Sequence, residues 1–208
     1  MAGNCIVDDA VVREAARQEI IRRYYAALCE RRQGRCGDEP VYKLELLLQQ
    51  VKADASLRPV VGAAWRWRET ASRRRHRAAD GEVVTGKTTD LMGASATTLL
   101  NALKRLAGIG HEHHLISREA IEPIQTVKVK HLGSANPRLH SDETLIALAI
   151  SATTNPLARQ ALDQLAQLRD CEAHASVLLS PPDLGTYAKL GMRLTCEPTY
   201  ETNKLYHR

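Results

Sequence analysis

The chain has no phenylalanine, only two tryptophans and only six tyrosines in 208 residues. A core must therefore be assembled from Leu, Ile, Val and Ala, and the 44% hydrophobic content is enough for one large domain or two small ones. No apolar run approaches the roughly 18 residues that a membrane-crossing helix needs. No basic-then-apolar leader opens the sequence. The expected compartment is therefore the cytoplasm, with no membrane partner. The five cysteines, Cys5, Cys29, Cys36, Cys171 and Cys196, are odd in number, widely scattered and never spaced as Cys-x-x-Cys. That pattern argues against a disulfide framework and fits a reducing compartment. Internal repeats and low-complexity linkers are missing as well.

A general excess of positive charge is also missing. The net charge of +5 is matched by a single stretch, Trp65 to Arg77, which holds six arginines and one acid, Glu69. The rest of the chain is neutral, so the basic balance is weak ground for a nucleic-acid partner. Trp65 and Trp67 lie about 200° apart on a helix and cannot form one stacking face.

What is present is mostly helical periodicity. Asp8 or Asp9 can cap a helix to about Arg32, with Val12, Ala15, Ala16, Ile20, Tyr24, Ala27 and Leu28 recurring at three and four. Asp38 and Pro40 open a second helix, and Ser56 with Pro59 a third. Asp80 and Gly81 read as a turn before a short strand, Glu82 to Thr85. Thr88 or Thr89 then caps a helix from about Leu91 to Ala107, closed by Gly108. Ser117 caps the next, which Pro123 should interrupt or restart. Ser141 caps an apolar helix to about Thr153. Asn155 and Pro156 break it, and a further helix runs to Leu168. Near the end, Ala175–Ser180 and Met192–Cys196 read as strands flanking a short helix that ends at Leu190 and Gly191. Together these give a small βαβ unit. The expected fold is helix-rich α/β or α+β with a small sheet. Residues 1–78 are expected to form a helical segment and 79–208 an α/β segment of one compact unit.

Chemistry concentrates in two polar runs. The first, His131 to Glu143, holds two histidines, an arginine, an asparagine and two carboxylates. Arg138 and His140 stand just before a helix N-terminus, where an anion can bind. Asp142 and Glu143 occupy its first turn and suit a carboxylate–histidine acid/base pair, or a metal, better than a phosphate. A self-satisfied turn around Asn136 accounts for the run equally well. The second run, Arg169 to His174, contains Cys171 and His174, half of a zinc site or a thiol–imidazole nucleophile pair. A buried thiol beside a strand histidine explains it as simply.

Gly81 to Thr88 matches the phosphate-loop pattern letter for letter, but the residues before Gly81 are polar and Val83–Val84 sits inside the supposed loop. The part that survives is Gly86, Lys87 and Thr88 ahead of a helix, as a simple anion site. His111, Glu112, His113 and His114 are expected in a solvated loop.

Several words along the chain carry a resemblance: Met1–Ile6, Arg17–Tyr25, Val84–Thr88, Leu91–Ser95, His114–Ser117, Ile121–Gln125, His131–Ser134, Asn136–His140, Cys171–His174 and Thr195–Pro198. Together they resemble the bacterial family known as domain of unknown function 1846. The stretch Trp65–Ala79 departs from that likeness. The resemblance implies the C-terminal part of a longer protein, with Met1 an internal methionine. It also implies a preceding Rossmann-like part with a glycine-rich, lysine-containing loop of phosphate-binding type. A nucleotide- or phosphate-linked enzyme is thereby implied for the intact protein.

On this reading Lys87 and Thr88, with Gly86, meet an anionic group and Arg138 positions substrate. His140 and Asp142 are acid/base candidates, and Cys171 and His174 are metal ligands or a nucleophile pair. The cofactor would be a nucleotide or phosphate, with zinc as a lesser option. The expected partner is the N-terminal part or a second copy of the chain, joined through apolar surface on the first helix and on the Leu91–Ala107 helix. The alternative is a docking or oligomerisation module whose polar runs are structural turns.

Overall fold

A computed structural model describes residues 9–70 and 83–201. Eight α-helices and one two-stranded sheet are present among the described residues. The order is α1 (Asp9–Arg32), α2 (Glu39–Gln50), α3 (Pro59–Thr70), α4 (Ala94–Leu106), α5 (Arg118–Thr126), α6 (Ser141–Ser151), α7 (Pro156–Leu162), β1 (Glu172–Ala175), α8 (Pro181–Lys189) and β2 (Arg193–Cys196). Short 3-10 turns precede α3 and β1, and one π-helical turn, Val127–His131, follows α5. The helix-rich α/β expectation holds. Strands β1 and β2 pair in parallel, Glu172 opposite Arg193 and Ala175 opposite Cys196, with α8 as the crossover.

Leucine builds the main core, as the missing phenylalanine requires. Leu99, Leu103, Ile121, Leu139, Leu148 and Leu168 are almost fully buried together, drawn from α4, α5, α6, the residue before the α6 N-cap and the 3-10 turn before β1. A smaller cluster of Ile21, Tyr25, Leu48 and Val61 joins α1, α2 and α3. The α1–α2 hairpin is antiparallel: Arg17 Nε donates to Val51 O, and Tyr24 donates its hydroxyl proton to Glu45.

Several local expectations shift for identifiable reasons. Glu82, where the expected strand begins, lies outside the described residues; 83–89 form no strand and have no paired neighbour among the described residues, but lie along α4, where Asn101 donates to Thr85 O at 2.9 Å. Helix α4 begins at Ala94 rather than near Leu91. Leu91–Gly93 is held back by pairing with the residues before α6: Leu139 N donates to Leu91 O and Gly93 N to Leu139 O. Pro123 does not break α5. The helix runs through it and then widens into the π-turn, in which Leu132 N reaches Val127 O.

The first strand is the polar Glu172–Ala175, not the apolar run after it. Leu178 and Leu179 instead lead into α8; Leu178 N donates to Thr199 O at 2.7 Å, and both residues line a cleft against α1. The exposed apolar side chains also differ from expectation. Helix α1 does present Val11 and Val12, and α4 presents Leu106 at its end while burying Leu99 and Leu103 in the main core. Tyr42 on α2 and Ile146 and Ile150 on α6, each 60% exposed, are more exposed still.

Candidate functional site

Three helices begin close to one another, and their starts are tied by hydrogen bonds. The Gly93–Leu139 pairing sets the start of α4 beside the residue preceding His140, which is the N-cap of α6. Asp183, in the first turn of α8, joins the starts of α6 and α8. Its Oδ1 accepts from Ser141 N at 2.9 Å and Ser141 Oγ at 2.6 Å. Its Oδ2 accepts from Ser180 Oγ at 2.6 Å and lies 3.1 Å from His140 Nδ1. Asp183 is 5% exposed. Burial alone would raise its pKa. The hydrogen bonds from His140, Ser141 and Ser180 outweigh that and hold the carboxyl well below the usual carboxylate range.

An ionised Asp183 is an acceptor only, so the proton at that contact sits on His140 Nδ1. Ser180 Oγ is also 3.1 Å from Nδ1, on the same side of the ring. Serine and aspartate thus meet one nitrogen, and the three residues are not a serine-nucleophile triad, which needs them on opposite nitrogens. What they form is a carboxylate–histidine dyad with Nε2 left without a protein partner among the described residues. The His140 side chain keeps 19% of its exposure. Below it, Glu143 accepts from His140 N at 2.8 Å and pairs with the buried Lys128 at 2.7 Å.

The other expected residues divide into those near this dyad and those away from it. Arg138 is half-buried and donates Nε to Thr89 O at 2.9 Å, so it ties the 86–89 segment to the approach to His140. Lys87 is exposed, and Thr88 donates its hydroxyl to Glu201 at 2.9 Å. Gly86 does not open a helix; it packs against Thr98 in the second turn of α4, where a Cβ would overlap the Thr98 backbone. Gly81 and the arginines from Arg73 to Arg77 lie outside the described residues. Asp142 is exposed, and the carboxylate on His140 is Asp183 instead. Ser180-Pro-Pro-Asp183 is legible in the sequence as a helix-capping pattern. Its reach across 40 residues to His140 is not.

Cys171 and His174 do not face each other. The Cys171 thiol is exposed and donates to Gln167 O, whereas the His174 side chain is wholly buried on the other side of β1. His174 has a fixed tautomer. Arg58, wholly buried, donates to Thr195 Oγ1, whose own proton has His174 Nδ1 at 2.9 Å as its nearer acceptor and Ala173 O at 3.4 Å as its farther one. Nε2 then donates to Glu197 at 3.1 Å. Burial, aided by the Arg58 charge, pulls the His174 pKa down to about 4. Both ring nitrogens are engaged and the ring is neutral, which leaves no open ligand position for a metal or a thiol. Among the described residues no cluster of three or more His, Cys, Asp or Glu side chains is placed to hold a metal ion. His111 to His114 are exposed, in a loop whose carbonyls at His111 and His113 accept from Lys104.

A separate cleft of about 190 Å³ lies between α1, α8 and β2, lined in part by Tyr25, Cys29, Leu184 and Cys196. Burial pushes the Cys29 thiol up to about 11 and the Cys196 thiol to about 12, so neither is a thiolate at neutral pH.

The molecule is thus a helix-rich α/β protein whose polar groups gather at helix starts beside short parallel pairings. It belongs to the family described as domain of unknown function DUF1846. The C-terminal description of that family matches residues 56–206 and the N-terminal description residues 1–52. Among curated relatives, a UPF0371 protein of Corynebacterium diphtheriae is 48% identical over 212 residues, and one of Corynebacterium urealyticum 46% over 210. A UPF0371 protein of Streptococcus uberis is 43% identical over 210 residues. Each alignment covers all of this chain and 42% of the relative. The chain therefore spans about two fifths of the length of these proteins. No helix among the described residues is long and apolar enough to cross a membrane.

Proposed function

We propose that this chain supplies the acid/base part of a phosphate-linked active site, completed by a Rossmann-like N-terminal part of the longer family protein. The observation that carries the reading is the His140–Asp183 dyad. A buried, ionised carboxylate holds Nδ1–H, and the opposite nitrogen is open at a partly exposed surface. A histidine so held can take a proton at Nε2 and return it, while Asp183 steadies the imidazolium. Among the described residues Arg138 is anchored through Nε alone, which keeps its terminal guanidinium nitrogens for an anionic group. Lys87, exposed on the same tethered segment, adds positive charge.

The test uses the full-length relative from Corynebacterium diphtheriae, screened for turnover of nucleoside triphosphates and phosphomonoesters. Replacing the histidine that matches His140 with Gln should lower kcat by at least about 100-fold with little change in KM. Replacing the cysteine that matches Cys171 with Ser should leave kcat unchanged. Turnover that survives loss of the histidine, or no turnover of any phosphate compound, defeats the reading. Ile146 and Ile150, four residues apart and exposed on α6, favour the second reading of a docking module. In that case neither substitution alters chemistry and both leave assembly intact.

A further inference from the structure

We propose that the first two turns of α1 and the outer face of α2 are the seat of the preceding part of the family's N-terminal unit, which packs there through aliphatic side chains as the core of one domain. The proposal rests on the acid/base reading only for its partner, the N-terminal part, and locates the surface on which that part sits. It makes no use of the chemistry at His140.

Helix α1 has 24 residues and α2 has 12, or about 36 and 18 Å at 1.5 Å per residue. The antiparallel pair is tied at Arg31–Asp38, Tyr24–Glu45 and Arg17–Val51, so α2 ends where Arg17 stands. Residues 9–16 project past that end, and every one of them is exposed. Their apolar side chains are nonetheless patterned. Val12, Ala15 and Ala16 stand at i, i+3 and i+4 and share one face. Val12 is nine residues from Ile21, about 180° around the helix, so that face lies opposite the side that buries Ile21. The second half of α1 thus packs into this molecule, and the apolar side of its first half points away from it. Helices this short draw their stability from packing an apolar face, so the overhang calls for a neighbour.

Helix α2 repeats the pattern. Val41 and Leu48 are buried, whereas Tyr42 and Leu46, one turn apart on the other side, are 60% and 40% exposed. Leu46 and its neighbour Leu47 lie toward the end of α2 from which the overhang projects. The extent of the family match says what covers these faces. The N-terminal description covers residues 1–52 and so closes just after α2, which ends at Gln50, while the C-terminal one begins at residue 56. The hairpin is therefore the closing piece of the N-terminal unit. The alignments cover 42% of each relative, so more than half of each relative lies outside this chain. A domain parted from its larger portion leaves core faces bare on what remains. Ile146 and Ile150 on α6 fall within the 56–206 match and have no such link to the N-terminal unit.

The test compares amide exchange in the 208-residue chain and in the full-length relative from Corynebacterium diphtheriae. At the positions that align with residues 13–16, exchange should be at least about 100-fold slower in the full-length protein, because packing against the N-terminal part adds protection that an overhang lacks. A paired substitution, Ala15→Glu with Leu46→Glu, keeps good helix formers at both sites. It should move the melting temperature of the 208-residue chain by no more than about 2 °C, and at the aligned positions lower that of the full-length relative by at least about 6 °C. His140→Gln, or its match in the relative, should leave both exchange patterns as they were, so the acid/base reading can fail without this one. Equal exchange in the two proteins, or an equal fall in melting temperature, overturns the proposal. So does a concentration-dependent dimer of the 208-residue chain that Leu46→Glu dissolves, which gives the face to a second copy.

Discussion

At His174 every proton has an assigned place, and that has a consequence in acid. Protonating Nδ1 would oppose the Thr195 hydroxyl proton and set a charge in a buried site near Arg58. The folded state therefore holds the ring neutral down to about pH 4, whereas the unfolded chain protonates near 6.5. Between those values the unfolded state binds more protons, so stability is whole above pH 6.5 and declines as pH falls toward 4. The total loss should approach ~3 kcal/mol, from the difference between the two pKa values. Urea unfolding at pH 7 and pH 4.5 measures it, and His174→Gln should flatten the difference. Asp183 works in the opposite sense of charge. Its lowered pKa confers stability above the ordinary carboxylate value that is lost only in stronger acid, so the two groups titrate in separate windows.

Among the elements, α4 is the one whose surroundings decide most. It is pinned at its start by Leu139 and along its length by the 83–89 segment, which reaches it only because residue 86 has no side chain. Gly86→Ala would drive a methyl group into the Thr98 backbone and should cost about 1–3 kcal/mol in thermal unfolding. Gly37→Ala is the control: it has an ordinary φ and nothing within 4 Å, and it should change stability by less than ~0.5 kcal/mol. Equal effects at the two positions would show that the 83–89 segment does not pack on α4. The π-turn after α5 is a second case. It carries Lys128 inward to Glu143 and Arg138 O, and so supports the backbone on which His140 stands.

In the whole molecule, the α1–α3 part and the sheet meet at a charged junction. Glu172 on β1 accepts from Arg58 at 2.7 Å and from Arg22 of α1 at 3.4 Å, while Arg58 also reaches Thr195 and Arg193 O. Arg58 is wholly buried, so removing it leaves Glu172 with Arg22 alone, takes the donor from Arg193 O and Thr195 Oγ1, and opens a cavity at the junction. Arg58→Ala should cost about 3–5 kcal/mol by urea unfolding. Amide exchange should rise first in α1, ahead of α4 and α6, which share a different core. Uniform loosening would mean that the two cores are not separable.

The sequence by itself determined the helices, the leucine-built core, the family and the polar runs, because these rest on local periodicity, capping chemistry and composition. Ser117 and Asn155 cap the helices as their side chains predict, and Pro181 and Gly191 bound the α8 crossover. Tertiary structure alone decided which polar residues meet. His140 found Asp183 rather than Asp142, since neighbours in a helical first turn point apart while a distant helix start can aim at the same ring. Cys171 and His174, three apart on an extended chain, fell on opposite faces. Strand β1 formed from the polar residues because Arg58 and Thr195 could satisfy them there. Thr195 lies 21 residues from His174 and Arg58 lies 114 residues from Glu172, so no local pattern encodes the arrangement.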